Sequence, residues 1–288
     1  MGGNKARKLE FVLADAQIKG ADVLITTGSS QSNFALQMAA AGRKLGMDSI
    51  LVLFKGQHPE VQGNHLLNKI LGAEVRIVEG NVADLYTSII DAMNELADEL
   101  RKKGRNPYII PAGATTPLGT IGWVAAAQEV SQQINQLGIG ADYLFVPSGG
   151  GSIHVGLILG NKYNKIPLKV AGATIAFSKE ECVRRFIKLG NDTAELIKWG
   201  VRITEDDLVI YDDYLGDGYG IPTKECIEAI RMVARTEGFF LDPVYTGKTM
   251  AGLIDLVRKG VFTSKDTVIF WHTGGNSALF AYHGEMLS

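Results

Sequence analysis

Tyr143-Leu144-Phe145-Val146-Pro147-Ser148-Gly149-Gly150-Gly151-Ser152-Ile153-His154 is the stretch that decides the fold. Tyr143 to Val146 reads as a buried strand, the three glycines as a tight turn, and the chain from His154 as a helix. Glycines let backbone N–H groups close on an anion, and a helix N-terminus favours negative charge, so the turn reads as a phosphate cradle. A strand–helix turn without a ligand is the plainer alternative. The segment is neither a Walker A loop, since no Gly-Lys-Ser/Thr follows, nor Gly-x-Gly-x-x-Gly, which disfavours ATP and NAD.

The same alternation runs outward in both directions. Strands are expected at Val23–Ile25, Ser49–Phe54, Glu74–Val78 and Tyr108–Ile110, with helices over Asn33–Leu45 and Glu60–Leu71. Leu85, Ile89, Met93, Leu96 and Leu100 recur at helical spacing and mark an amphipathic helix. Beyond the opening stretch, strands are expected at Leu168–Ala171, Val209–Tyr211 and Val268–Trp271. Helices fall over Trp123–Leu137, Glu181–Trp199, Glu225–Thr236 and Tyr245–Val257. The pattern predicts an α/β fold of two open, mostly parallel, twisted sheets flanked by helices. The break from Pro111 to Pro117 divides it into a smaller domain of 9–117 and a larger one of 1–8 and 118–288.

Composition narrows the function. The 288 residues are 46% apolar and 21% charged with a net charge of −2, which gives no electrostatic case for nucleic acid or an anionic membrane. No apolar run approaches a membrane span, and the N-terminus lacks a secretory layout, so a cytoplasmic protein is expected. Cys182 and Cys226 read as free thiols, and the five histidines give no metal-ligand spacing.

Gly2-Gly3-Asn4-Lys5 is a flexible turn that delivers a lysine to a helix start. The helix dipole there, with Arg7 and Lys8 nearby, favours the neutral amine that attacks a carbonyl or carries a Schiff base. An ordinary solvated lysine is the plainer reading. Thr27 to Asn33 is a polar loop that offers hydroxyls and amides to a carboxylate, or caps a helix through Ser30 or Ser32. Asp242 to Lys248 puts Tyr245 just before a helix, where packing is the commoner fate of tyrosine, and Lys248 reads as a surface residue. His272-Thr273-Gly274-Gly275 either places a hydroxyl at a ligand or merely turns the chain. Asp212 to Gly220, rich in Tyr and Gly, reads as a loop of the lid type or as a structural loop.

Gly2–Glu10, Gln31-Ser32-Asn33, Gly216–Pro222, Asp242–Lys248 and His272–Ala278 resemble, in the same order, the D-cysteine desulfhydrase and 1-aminocyclopropane-1-carboxylate deaminase family. These are pyridoxal-phosphate enzymes of the tryptophan-synthase-β type, fold type II, and the resemblance covers nearly the whole chain. It implies pyridoxal 5'-phosphate carried by Lys5, Asn33 beside the cofactor's phenolic oxygen, and Gly150, Gly151, Ser152 and Ile153 around its phosphate. Ile153 stands where a threonine is usual, so backbone donors would carry more of the phosphate. Ser32 is implied near the substrate carboxylate, with Tyr219 and Tyr245 lining the substrate side. Thr246 and Thr273 occupy cofactor-side positions where the cyclopropane-opening deaminases carry Glu and Leu, so both resemble the desulfhydrase branch. The implied activity is β-elimination of D-cysteine to pyruvate, hydrogen sulfide and ammonia by a homodimer acting on a small amino acid. Cyclopropane deamination, elimination from another β-substituted amino acid such as cysteate, and a catalytically silent binding protein are the alternatives. Family members carry a further segment ahead of the glycine pair, which the resemblance implies is missing here.

Overall fold

The computed structural model describes residues 2–79 and 82–287; the side chains of 82–87, including the expected apolar Leu85, lie outside what it describes. The chain divides into two compact units. Unit 1 is Met1–Ala114 with Ser277–Gly284, and unit 2 is Thr115–Asn276 with Glu285–Ser288.

Unit 1 runs α1 (Lys5–Ile18), β1 (Val23–Ser29), α2 (Asn33–Lys44), β2 (Asp48–Phe54), α3 (Gly63–Ile70), β3 (Glu74–Val78), α4 (Val82–Lys102) and β4 (Pro107–Ile110). Its sheet has the order β3-β2-β1-β4 and every pairing is parallel. Val23, Ile25, Ile50 and Val52 of the sheet pack against Ile89, Met93, Leu96 and Ala97 of α4. Spacings of four, three and one keep those α4 residues on one face, so the helical periodicity produces the core directly.

Unit 2 runs α5 (Pro117–Leu137), β5 (Tyr143–Ser148), α6 (Ser152–Asn164), β6 (Lys169–Thr174), α7 (Lys179–Leu196), β7 (Val209–Tyr211), α8 (Lys224–Glu237), α9 (Thr246–Arg258) and β8 (Val268–Phe270). Its sheet order is β7-β6-β5-β8, again wholly parallel. Trp123, Val124 and Ala127 of α5 share one core with Val155 and Leu159 of α6 and Phe186 of α7. The α/β class and parallel pairing expected from the alternation are what the chain adopts. Both sheets have helices against them, and the central strands β1 and β5 are accordingly almost wholly buried.

The two sheets share one topology. The chain moves outward from β1 through β2 to β3 and then returns to place β4 on the other side of β1; β5, β6, β7 and β8 repeat this. β1 and β5 therefore border the points where the strand order reverses, and ligands of open parallel sheets bind beyond the carboxyl ends of such strands. The loops that leave there are Ser30–Ser32 and Gly149–Gly151.

The division of the chain falls at Ala114, inside the Pro111–Pro117 break. Gly113 and Ala114 take left-handed backbone, φ 65° and 47°. Thr116 then caps α5 by accepting from Gly119 N at 3.1 Å, with Pro117 in the first turn, so the helix starts ahead of the expected Trp123. Residues 1–8, expected with the larger domain, group with unit 1. Lys5 is already the first residue of α1, and Leu9, Val12, Leu13 and Ala16 bury that helix in unit 1. Cys182 and Cys226 are both free and buried.

Candidate active site

In unit 2 the phosphate-type loop joins β5 to α6. Gly151 sits at φ 96°, and α6, a helix of 13 residues, has no side-chain cap at its N-terminus. A Cβ on Gly150 would lie 2.6 Å from Thr115 Oγ1, and one on Gly151 would lie 2.4 Å from the Phe186 ring. The loop is thus closed to side chains and leaves the first N–H groups of α6 to whatever lies beyond them. Ser152 Oγ, in the first turn, is buried and finds no hydrogen-bond partner among the described residues. Uncapped helical N–H groups with an orphaned hydroxyl make a donor set that fits a phosphate. Ile153 belongs to the apolar core of α6 and contributes packing there. Behind the loop, Ser148 Oγ and His154 Nδ1 are 2.8 Å apart, and burial pushes the His154 imidazole down to about 4. The imidazole behind the loop is therefore neutral at pH 7.

The second cluster of unit 2 forms at the start of α9. The phenol oxygens of Tyr219 and Tyr245 are 2.6 Å apart, with the rings edge to face at 5.9 Å. One phenol donates to the other. Just before the helix, Asp242 is fully buried and its carboxylate accepts from Val244 N, Tyr245 N, Thr246 N and Thr246 Oγ1 at 2.7–3.0 Å. Burial pushes the Asp242 carboxyl up, and these donors hold it back. Asp242 N in turn donates to Thr246 Oγ1 at 2.7 Å, so the single proton of that hydroxyl is spent on the carboxylate.

Lys248 corrects the sequence reading. It is 0% exposed, and its Nζ donates to Leu215 O and Gly218 O at 2.6 and 2.7 Å. Burial pulls its pKa below the usual lysine value. The same loop is tied to α9 again by Tyr214, whose hydroxyl donates to Asp255 at 2.7 Å. Tyr219 thus follows a segment fastened at two points. Thr273 is buried just after β8, beside β5 in the sheet. Its neighbour His272 plays a structural part: Gly274 N donates to Nδ1 at 3.0 Å, and Nε2 donates to Phe240 O at 2.8 Å.

In unit 1, Lys5 opens α1 directly behind the glycine turn. Lys8 is buried and donates to Gly113 O at 2.8 Å; burial, with the charge of Lys5 second, holds its amine well below the usual lysine range. Ser32 caps α2, accepting from Ala35 N at 3.2 Å, and Asn33 is the first residue of that helix. Ser30 Oγ lies 2.5 and 2.7 Å from Lys55 O and His58 O, so its hydroxyl serves the loop rather than the cap. Asn33 Oδ1 accepts from Asn64 Nδ2 at 2.7 Å.

Asn64, Asp242, Lys248 and buried Lys8 were not legible as site-supporting residues. Asp242 alone had a signal, since an acid a few residues ahead of a helix is a capping pattern. The others act on groups set 30 or more positions away in sequence.

Residues 1–274 match the family model described as pyridoxal-phosphate dependent enzyme. A 1-aminocyclopropane-1-carboxylate deaminase of Mesorhizobium japonicum is 40% identical over 287 residues, covering 98% of this chain and 84% of the relative. A D-cysteine desulfhydrase of Klebsiella pneumoniae is 36% identical over 291 residues, covering 99% and 86%. Among solved structures, an ACC deaminase homologue superposes with a TM-score of 0.90 at 39% identity, over 99% of this chain and 84% of the other.

Proposed function

Because this chain belongs to the pyridoxal-phosphate-dependent enzyme family, in its group of 1-aminocyclopropane-1-carboxylate deaminases and D-cysteine desulfhydrases, we propose that it eliminates sulfide from D-cysteine. The fold is that of fold type II, and the cofactor is pyridoxal 5'-phosphate. Bound, the cofactor supplies an electron sink for charge developing at the substrate α-carbon. The protein's residues do the rest. In unit 1, Lys5 would hold the cofactor, and its amine would take the substrate α-proton. Asn33 donates to the phenolic oxygen, and Ser32 lies at the substrate carboxylate. In unit 2, the N–H groups of Gly150 to Ile153 and the orphaned Ser152 hydroxyl hold the phosphate. Tyr219 and Tyr245 line the substrate side and relay a proton to the departing sulfur. Thr246 and Thr273 lie on the cofactor side. D-cysteine and water then give pyruvate, hydrogen sulfide and ammonia.

One observation carries the choice of substrate. The position that is Glu in the deaminases is Thr246, and its proton goes to Asp242. Four donors already occupy the Asp242 carboxylate, so no uncommitted negative charge stands at Thr246 to strengthen the electron sink. A weaker sink suffices to expel thiolate, whereas opening a cyclopropane breaks a carbon–carbon bond. The second reading, cyclopropane deamination, is favoured by the name of the 40% identical relative.

The test is turnover of both substrates by cofactor-loaded protein. Sulfide release from D-cysteine should far exceed 2-oxobutyrate formation from 1-aminocyclopropane-1-carboxylate. Comparable or greater 2-oxobutyrate formation would overturn the reading. On the same proposal the protein works in the cytoplasm as a homodimer; no helix among the described residues is long and apolar enough to cross a membrane. Sedimentation at the mass of a single chain would contradict the dimer.

A further inference from the structure

Asn64 is buried in the first turn of α3 and bonds to two separate segments of unit 1, Gln31 and Asn33 on one and Ser277 on the other. Its Nδ2 lies 2.9 Å from Gln31 O, a backbone carbonyl that can only accept. That contact fixes which end of the Asn64 amide is nitrogen. The same Nδ2 reaches Asn33 at 2.7 Å, so the atom Asn33 presents to it must be the acceptor Oδ1. Ser277 Oγ occupies Asn64 Oδ1 at 2.5 Å from the opposite side. Gln31 is locked as well: Asn64 N donates to its Oε1, and its Nε2 faces His58 O and Gln62 O. The Asn64 and Gln31 amides are therefore each set by backbone groups, and the Asn33 amide by Asn64 Nδ2 in turn.

We infer that Asn64 is a positioning residue that turns the Asn33 carboxamide so that its Nδ2, uncommitted among the described residues, faces an anionic ligand oxygen. Asn33 stands at the N-terminus of α2 beyond the carboxyl end of β1, where a donor reinforces the helix's own preference for negative charge. The inference rests on the proposal that Asn33 lies at the cofactor's phenolic oxygen. An N–H donor there stabilises that oxygen's negative charge; an inverted amide would set oxygen against oxygen.

The experiment reads the ratio of the bound cofactor's two absorbance bands at one fixed pH. It uses wild-type holoenzyme, Asn33→Ala, Asn64→Leu and the double variant. Asn33→Ala should change the ratio by about tenfold, the size of one charge-assisted hydrogen bond. Asn64→Leu should change it in the same sense by about threefold, because the Asn33 amide is then free to take either orientation. The double variant should match Asn33→Ala, since Asn64 acts only through Asn33. Should Asn64→Leu fail to fold, Asn64→Ala removes the same amide without adding a branch, and the same ratios are expected. An Asn64 variant with the wild-type ratio beside a shifted Asn33→Ala overturns the inference and leaves the function standing. Additive changes in the double variant overturn it too. An unshifted Asn33→Ala removes the underlying assignment of Asn33 instead.

Discussion

The loop after β1 and the loop after β5 leave equivalent strands of equivalent sheets, yet they are built on opposite lines. Ser30, Gln31, Ser32 and Asn33 fill the first with side chains, and each is tied by hydrogen bonds to α2, α3 or the segment after β2. Gly149, Gly150 and Gly151 empty the second of side chains, and neighbours close over the space a Cβ would need. The difference matches what each is proposed to bind. A phosphate is held by many backbone N–H groups at close range, which requires absent side chains. A phenolic oxygen and a carboxylate need single donors with fixed direction, which requires side chains held by others.

The contrast breaks most readily at Gly151. Gly151→Val places a β-branched residue at φ 96° and within 2.4 Å of Phe186. Strain and overpacking together cost about 4 kcal/mol. If that falls on the cradle, cofactor affinity drops about a thousandfold, read by equilibrium dialysis. Unchanged cofactor retention would remove the backbone cradle from the account.

The core behind that cradle has its own pH signature. His154 titrates at about 4 in the folded protein, against an ordinary 6.5. Between these values the unfolded chain binds the proton and the folded one does not. Stability from this group is therefore full above pH 6.5 and is lost as pH falls towards 4, by about 3 kcal/mol. Urea unfolding at several pH values should show this slope in the wild type and a shallower one in His154→Asn. Equal slopes would mean that the imidazole is not buried neutral.

Lys248→Met removes the donors that hold Leu215 O and Gly218 O. The loss is about 2 kcal/mol and local. Amide exchange should quicken across 215–220 and stay unchanged in Gly149–Ser152. Uniform quickening would make Lys248 a general core residue rather than the tie that seats Tyr219. Ser32→Ala is the smallest change: losing the α2 cap costs about 1 kcal/mol, read as a lower Tm. A cost equal to that of Gly151→Val would erase the distinction between the loops.

What could be read from sequence follows the same line. Glycine runs, strand-length apolar runs and helical periods act locally, so the Gly149–Gly151 turn, β3 at Glu74–Val78 and the α4 face were legible. Lys248 was not, because its place in the first turn of α9 says nothing about two carbonyls on a loop 30 positions earlier. Asn64 was legible to no local rule, since Ser277 is 213 positions away. Lys8 read only as a positive charge beside Lys5; its burial and its bond to the carbonyl of Gly113 are supplied by the folded chain alone. The residues proposed to touch ligands were suggested by motif, and the residues that hold them in place were hidden in the tertiary pairing.

Lys8 makes the most direct test a sharp one. It is buried, and its pKa is held well below the usual lysine range, as a carbonyl-binding lysine requires. Its Nζ, however, is committed to Gly113 O, whereas Lys5 stands at the helix start behind the glycine turn. Borohydride reduction of the holoenzyme followed by peptide mapping decides between them. The account predicts the cofactor fixed on Lys5 and no adduct in Lys5→Ala; an adduct on Lys8 or Lys248 would contradict it.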